Sequence, residues 1–325
     1  MQSPSRAPLG VCFLALEALM NQLQRAAWGR RRTAERLLLA VLAEGHILVE
    51  DVPGVGKTTL VRALAESLGV ETRRIQFTPD LLPSDVTGYT YYEPQSREFI
   101  LRRGPVFTNL VLADEINRTS PKTQSSLLEA MEERQVTIDG EVHELPWPFV
   151  VCATENPIEY EGTFPLPEAQ LDRFLVRLRL GYPDAASETE VLMRPGGEQR
   201  AERLSQAISL EELRAAVDAA QAVLVGEPIA RYALAVAERT RSHQALLLGL
   251  SPRGTIAWVR AARALAFLRG ETFVTPDHLR DLAHDVACHR LVVRPEPAMR
   301  GVTAQAVLDE VLSAVPLPGV RAPVR

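Results

Sequence analysis

The sequence predicts an α/β protein followed by an all-helical part. Short apolar runs typical of buried strands alternate with helical patterns up to about residue 182. From Pro183 onward only helical patterns follow. A glycine-bearing loop also stands between the first strand and the next helix, as in phosphate-binding folds. We therefore expect a parallel sheet flanked by helices, with a helical domain behind it.

Two helical patterns, at 11–28 and 33–44, precede the first strand. Apolar runs then predict five buried strands, at 47–49, 72–77, 111–113, 149–153 and 174–180.

Local signals define the connections between these strands. Ser120 and Pro121 form an N-cap followed by a first-turn proline, which predicts a helix that runs to Glu133. Residues 136–143 alternate around an Asp-Gly pair, which predicts a β-hairpin. Prolines and glycine interrupt residues 78–105, and we interpret this aromatic-rich stretch as an insertion.

The part after Pro183 predicts helices at 184–193, 209–224, 228–241, 252–269 and 276–290. Ser209 with Glu212 has the pattern of a capping box, and Ser251-Pro252 and Thr275-Pro276 repeat the cap-then-proline start. Residues 314–325 are rich in proline and predict a loose tail.

The loop after the first strand has the composition of a phosphate cradle. Glycines let backbone N–H groups and the helix N-terminus point at an anion. Lys57 would add a charge for the β- and γ-phosphates, and the Thr58 hydroxyl would be a ligand of Mg²⁺. The full pattern has a glycine at position 51, where this chain has Asp51. The predicted nucleotide-binding residues are Asp51, Val52, Pro53, Gly54, Val55, Gly56, Lys57, Thr58 and Thr59.

Acidic and amide side chains follow the third and fourth strands. Asp114 is the candidate metal ligand, and Glu115 is the candidate for polarising the attacking water. Asn156 would hold that water or the γ-phosphate, because the carboxyl ends of parallel strands collect ligand-facing residues. The alternative is an asparagine that only makes the turn before Pro157.

Two arginines near helix termini suit the charge of a phosphoryl-transfer transition state, because a guanidinium meets phosphate with two parallel hydrogen bonds. They are Arg173 and Arg253. The alternative for Arg173 is a structural pair with Asp172 or Glu168.

The composition and charge of the chain argue against some classes of function. The 325 residues carry a formal net charge of −5, which argues against a nucleic-acid binder because phosphate contact needs a basic footprint. Three distant cysteines, Cys12, Cys152 and Cys288, predict reduced core residues. No apolar stretch reaches the roughly 18 residues that a membrane helix needs. We therefore expect a cytoplasmic protein without a membrane span.

The motifs VPGVGKT, VLADEINR, ATENP, GTFPLPEAQLDRF and SPR together resemble the MoxR family of AAA+ ATPases, over roughly residues 10–295. The resemblance implies a P-loop AAA+ nucleotide-binding core at 1–182 and a helical lid domain at 183–295, with a C-terminal helix and tail at 296–325. The stretch 78–105 would then be the family's insertion in the second core helix.

The resemblance also implies a role for each candidate residue. Lys57 and Thr58 match the first nucleotide motif, Asp114 and Glu115 the second, Asn156 the first sensor, Arg173 the finger inserted into a neighbouring subunit's site, and Arg253 the second sensor of the lid.

The implied activity is hydrolysis of ATP to ADP and phosphate with Mg²⁺. It would take place in a homo-oligomeric ring, usually a hexamer, that remodels partner proteins with von Willebrand A domains. A nucleotide-binding scaffold without turnover is one alternative, against which Glu115 counts. A magnesium-chelatase-like motor is another, although His278, His284 and His289 lack the spacing of a shared metal face. A DNA-processing ring is disfavoured by the net charge.

Overall fold

The computed structural model describes residues 9–27, 30–51, 55–156, 163–182, 185–193 and 204–318. Several predictions therefore lie outside the described residues: the loop positions Val52, Pro53 and Gly54, the turn at Pro157, and the end of the C-terminal tail.

The described helices are α1 Leu9–Ala26, α2 Arg31–Leu42, α3 Lys57–Leu68, α4 Pro83–Thr87, α5 Pro121–Glu133, α6 Glu168–Leu171, α7 Ala185–Met193, α8 Leu210–Gln221, α9 Glu227–Arg241, α10 Pro252–Leu268, α11 Pro276–Val286, α12 Pro295–Met299 and α13 Ala304–Ala314. The described strands are β1 His46–Glu50, β2 Thr72–Gln76, β3 Gly88–Glu93, β4 Glu98–Arg103, β5 Leu110–Asp114, β6 Gln135–Ile138, β7 Glu141–Glu144, β8 Val150–Glu155, β9 Phe174–Leu178, β10 Leu246–Leu248 and β11 Val292–Val293.

A five-stranded sheet has the order β2-β5-β8-β1-β9, and β2, β5, β8 and β1 pair in parallel. The predicted α/β class with a parallel sheet is confirmed. The register pairs Gln76 with Asp114 and Glu50 with Glu155. The carboxyl ends of these strands are therefore level, and residues just beyond them share one edge of the sheet.

The described residues divide into two compact units. The first lies within 1–38, 46–166 and 178–215, and the second within 39–45, 167–177 and 216–325. The predicted domain limits at 182 and 295 stay a prediction.

Within the first unit, local signals place helix starts and turns where the sequence predicts them. The Ser120 hydroxyl accepts a hydrogen bond from the Thr123 N–H, and Pro121 follows in the first turn of α5. Asp139 and Gly140 both have positive φ, 50° and 86°, as a two-residue hairpin turn between β6 and β7 requires.

The predicted insertion at 78–105 is a short helix, α4, followed by the β3–β4 hairpin. The Tyr92 and Phe99 rings pack 5.4 Å apart on this hairpin, and Phe99 is 76% exposed.

The second unit is mostly helical, as predicted. Trp258 on α10 is buried and donates from Nε1 to the Leu279 carbonyl of α11 at 2.8 Å. The expectation of helices alone after Pro183 is wrong at Leu246–Leu248 and Val292–Val293, which pair as short antiparallel strands. Strands of three and two residues are too short to produce a period-two pattern. No helix in the described part of the chain is long and apolar enough to cross a membrane.

Candidate nucleotide-binding site

The segment after β1 belongs to the first unit and is held at several points. The Asp51 N–H donates to the Glu155 carbonyl at 3.1 Å, and an Asp51 carboxylate oxygen accepts the Gly181 N–H at 2.6 Å. The Lys57 ammonium donates to the Asp51 carbonyl at 2.5 Å and to the Glu155 carbonyl at 3.4 Å. The ends of β1 and β8 thus converge on Lys57.

Helix α3 begins at this point with its N-terminus uncapped. Gly56, at φ 87°, adopts the left-handed conformation that favours glycine, and α3 starts at the next residue. Within the described residues, no side chain caps this helix. Its first turn, which includes Thr58 and Thr59, therefore presents backbone N–H donors and the positive end of the helix dipole, a combination that suits a phosphate.

Asp114 and Glu115 stand at the carboxyl end of β5. Asp114 Oδ2 accepts hydrogen bonds from Arg74 Nε at 3.0 Å and Nη2 at 2.6 Å. Glu115 has a left-handed backbone, at φ 57°, and its Oε2 accepts from Gln76 Nε2 at 2.8 Å and Arg118 Nη1 at 3.1 Å. Groups from β2 and from the turn after β5 therefore orient the two carboxylates.

Thr154, in the neighbouring strand β8, joins the two acidic residues. Its hydroxyl accepts the Glu115 N–H at 2.9 Å and donates to Asp114 Oδ1 at 2.6 Å. Asn156 is buried two residues further on, next to the Glu155 carbonyl that accepts from Lys57. The structure thus places Lys57, Asp114, Glu115 and Asn156 along one edge of the sheet.

The charges at this edge influence one another. Burial lowers the pKa of Lys57 from its ordinary value, and the negative charges of Asp51, Asp114 and Glu115 act in the opposite direction. Burial and the charges of the carboxylates therefore act on the Lys57 ammonium in opposite directions.

The donor set fits Mg²⁺. This hard cation takes oxygen ligands and is usually held by one or two protein groups, with phosphates and waters completing its shell. The Thr58 hydroxyl is exposed, and the Asp114 carboxylate ends β5. Across the residues the structure describes, there is no cluster of three or more His, Cys, Asp or Glu able to hold a metal alone. Thr58 and Asp114 are therefore the residues that would bind this ion together with a nucleotide.

The two candidate arginines belong to the second unit. Arg173 is half-buried and directly precedes β9. Arg253 is exposed in the first turn of α10, after the N-cap Ser251.

Comparison with known proteins decides the family. The chain is 39% identical to the chaperone MoxR1 of Mycobacterium tuberculosis over 316 residues, which cover 94% of this chain and 83% of that protein. It is 31% identical to the protein MoxR of Methylorubrum extorquens, over 92% of this chain and 94% of that one. The chain belongs to the MoxR family of AAA+ ATPases.

Other similarities agree with this membership. The uncharacterized protein YeaC of Bacillus subtilis is 49% identical over 306 residues, which cover 94% of this MoxR-family chain and 96% of YeaC. Residues 46–176 match the ATPase family associated with various cellular activities, and residues 238–311 match the AAA lid domain. The crystal structure of a candidate ATPase from Cytophaga hutchinsonii has a TM-score of 0.88 and 34% identity, over 96% of this chain and 97% of that one.

Arg74, Gln76 and Thr154 were not among the predicted residues of the candidate site. Each contacts Asp114 or Glu115: Arg74 from the middle of β2, Gln76 from the end of β2 and Thr154 from the position before the end of β8. The strand order would have revealed Gln76 and Thr154, because polar residues that end neighbouring strands meet at one edge.

Proposed function

We propose that this chain hydrolyses ATP to ADP and phosphate with Mg²⁺, in a ring of identical subunits that remodels partner proteins. The observation that carries the proposal is the convergence of Lys57, Asp114 and Glu115 at level strand ends beside the uncapped N-terminus of α3. A cation, a metal ligand and a candidate base at one edge are the parts that phosphoryl transfer to water requires.

In this proposal the N–H groups at the start of α3 and the Lys57 ammonium bind the phosphates. Thr58 and Asp114 hold Mg²⁺, which would neutralise charge on the phosphate oxygens. Because Arg74 donates twice to Asp114 Oδ2, it fixes the orientation of the carboxylate.

Glu115 is the proposed general base. Its Oε2 accepts from Gln76 and Arg118, and its backbone N–H is held by Thr154. These contacts fix both ends of the residue, so the carboxylate can orient a water and accept its proton without first reorganising. Asn156, buried at the end of β8, is proposed to hold the same water or the γ-phosphate.

Glu115→Gln tests the hydrolytic role. The amide keeps the size of the side chain but cannot accept a proton, so we expect turnover to fall by about 10²–10⁴-fold while ATP binding persists. ATP turnover and binding of a fluorescent ATP analogue measure the two quantities. Glu133→Gln is the control, because it makes the same charge change at an exposed position at the end of α5. Undiminished turnover in Glu115→Gln would remove the role, and a wild type that binds ATP without hydrolysing it would identify a scaffold instead.

The ring is proposed to be hexameric, with Arg173 acting on the nucleotide of a neighbouring subunit. Arg173→Ala should lose on the order of 10³-fold in turnover while single subunits still bind ATP. Arg239→Ala, at an exposed position of α9, is the control. Mixing Arg173→Ala with Glu115→Gln subunits should partly restore activity, because some interfaces then pair an intact glutamate with an intact arginine. No recovery at any mixing ratio would contradict action in trans.

Remodelling of a cytoplasmic partner with a von Willebrand A domain is the remaining part of the proposal. It rests on membership of the MoxR family. Pull-down with Glu115→Gln, which should bind ATP with little hydrolysis, would test this part, and recovery of no such partner would count against it.

A further inference from the structure

Arg290 is a buried residue of the second unit. Its side chain is 2% exposed, and its Nε donates to Asp172 Oδ1 at 2.6 Å. Its other nitrogens donate to backbone carbonyls of Phe174 at 2.6 Å, Leu175 at 3.4 Å and Val286. One guanidinium thus ties the start of β9 to the end of α11.

The second carboxylate oxygen of Asp172 extends this connection to α10. Ser251 Oγ donates to Asp172 Oδ2 at 2.9 Å and accepts the Gly254 N–H at 2.9 Å. The hydroxyl that caps α10 is therefore itself held by Asp172.

Gly254 gives independent evidence that Arg290 packs against the first turn of α10. A Cβ at this glycine would lie 2.7 Å from Arg290 Cδ and 3.2 Å from Arg290 Nε, closer than ordinary contacts. Arg290 therefore contacts α10 directly, in addition to the link through Asp172 and Ser251. Both contacts fix where α10 begins.

Each end of this connection is adjacent to a candidate arginine. Asp172 directly precedes Arg173, and Ser251 and Gly254 flank Arg253 in the first turn of α10. Burial lowers the pKa of Arg290 and Asp172 raises it, while the positive charge of Arg253 acts to lower it.

We propose that Asp172, Arg290 and Ser251 are positioning residues that hold Arg173 and Arg253 in one fixed relation. The inference rests on the proposed function, in which Arg173 acts on the nucleotide of a neighbouring subunit. A displacement of the first turn of α10 would pass through Ser251 and Asp172 to Arg173. The network thus fixes the position of Arg173 relative to α10.

Ser251→Gly breaks the link to Asp172 and leaves the buried pair of Asp172 and Arg290 in place. Glycine is tolerated at an N-cap almost as well as serine, so α10 should keep its start. We expect kcat to fall by about tenfold to a hundredfold, because small displacements of catalytic groups have effects of this size. We expect ATP binding to single subunits to stay unchanged.

Two further variants separate positioning from stability. Ser251→Thr keeps the hydroxyl and should restore most of the turnover. Thr303→Gly removes the cap of α13, where the Thr303 hydroxyl accepts the Ala306 N–H at 3.1 Å, and it should leave turnover unchanged.

The measurements are ATP turnover as a function of ATP concentration, binding of a fluorescent ATP analogue, and the thermal unfolding midpoint, all on the full chain. If the wild type hydrolyses ATP and Ser251→Gly does so at the same rate, the inference is overturned and the proposed function stands. The same fall in Thr303→Gly, or no recovery in Ser251→Thr, would also overturn it. A wild type without turnover would remove the proposed function and this inference together.

Discussion

Replacing Thr154 with valine tests how the site holds Glu115. Valine has the shape of threonine, so the substitution exchanges one hydroxyl for a methyl group and leaves the volume of β8 unchanged. Thr154 is 1% exposed, and its hydroxyl serves both the Glu115 N–H and Asp114 Oδ1. The variant therefore removes two hydrogen bonds at a position with little access to water.

The expected cost follows from these two bonds. A buried N–H that loses its acceptor costs about 1–3 kcal/mol. Asp114 keeps both hydrogen bonds from Arg74, and its side chain is 17% exposed. The cost of losing its hydrogen bond from Thr154 should therefore lie at or below the lower end of that range. We expect the free energy of unfolding to fall by about 1–4 kcal/mol in total.

Urea unfolding followed by circular dichroism measures this change. Thr154→Ser is the control: it keeps the hydroxyl and loses one buried methyl group, at a cost of about 0.8 kcal/mol. Turnover of ATP should also fall in Thr154→Val, because Glu115 would no longer be anchored at its backbone. A valine variant that is as stable as the serine variant would refute the reasoning.

Two further predictions concern buried titratable groups. The pKa of His289 is lowered well below its usual value by burial and by the nearby charges of Arg290 and Arg177, so the unfolded chain binds a proton that the folded chain does not. The contribution of His289 to the free energy of unfolding should therefore be complete above pH about 6.5 and decrease as the pH falls, by at most about 1.4 kcal/mol per pH unit. Urea unfolding midpoints at pH 7.5 and 5.5 measure this change. An equal pH dependence in His289→Gln would contradict it. Burial raises the pKa of Cys152 to about 12. Iodoacetamide at pH 8 should therefore label this cysteine only after unfolding, as peptide mapping would show, and labelling of the folded protein would exclude the buried position.

Those parts of the fold that depend on neighbouring residues could be predicted from the sequence. Ser120 and Pro121 define the start of α5, and the Asp139-Gly140 pair defines the turn between β6 and β7. Ser209 and Glu212 form the predicted capping box before α8, with Ser209 N–H donating to Glu212 Oε2 at 2.8 Å. In each case the residues that make the contact lie within three positions of one another, so the pattern carries the whole signal.

Contacts between distant residues could not be predicted in this way. Gln76 reaches Glu115 across 39 positions, and Arg290 reaches Asp172 across 118. Neither pair has a spacing that a single sequence reveals. Gln76 depends on β2 lying beside β5, and Arg290 depends on the packing of α11 against the start of β9. The chemical roles of the acidic residues could be predicted from the sequence, whereas the side chains that orient them could be identified only from the fold.

Asp51 shows why a departure from the phosphate-loop pattern need not weaken the loop. The pattern has glycine at this position, and a residue with a side chain would be strained there if the backbone had a positive φ. Within the described chain, the residues with positive φ include Gly56 but not Asp51, so this position does not need the conformational freedom of glycine. The Asp51 carboxylate also accepts the Gly181 N–H, while its carbonyl accepts from Lys57. The side chain that replaces glycine thus anchors the loop to the segment after β9, and Asp51→Gly would remove that anchor rather than restore a missing one.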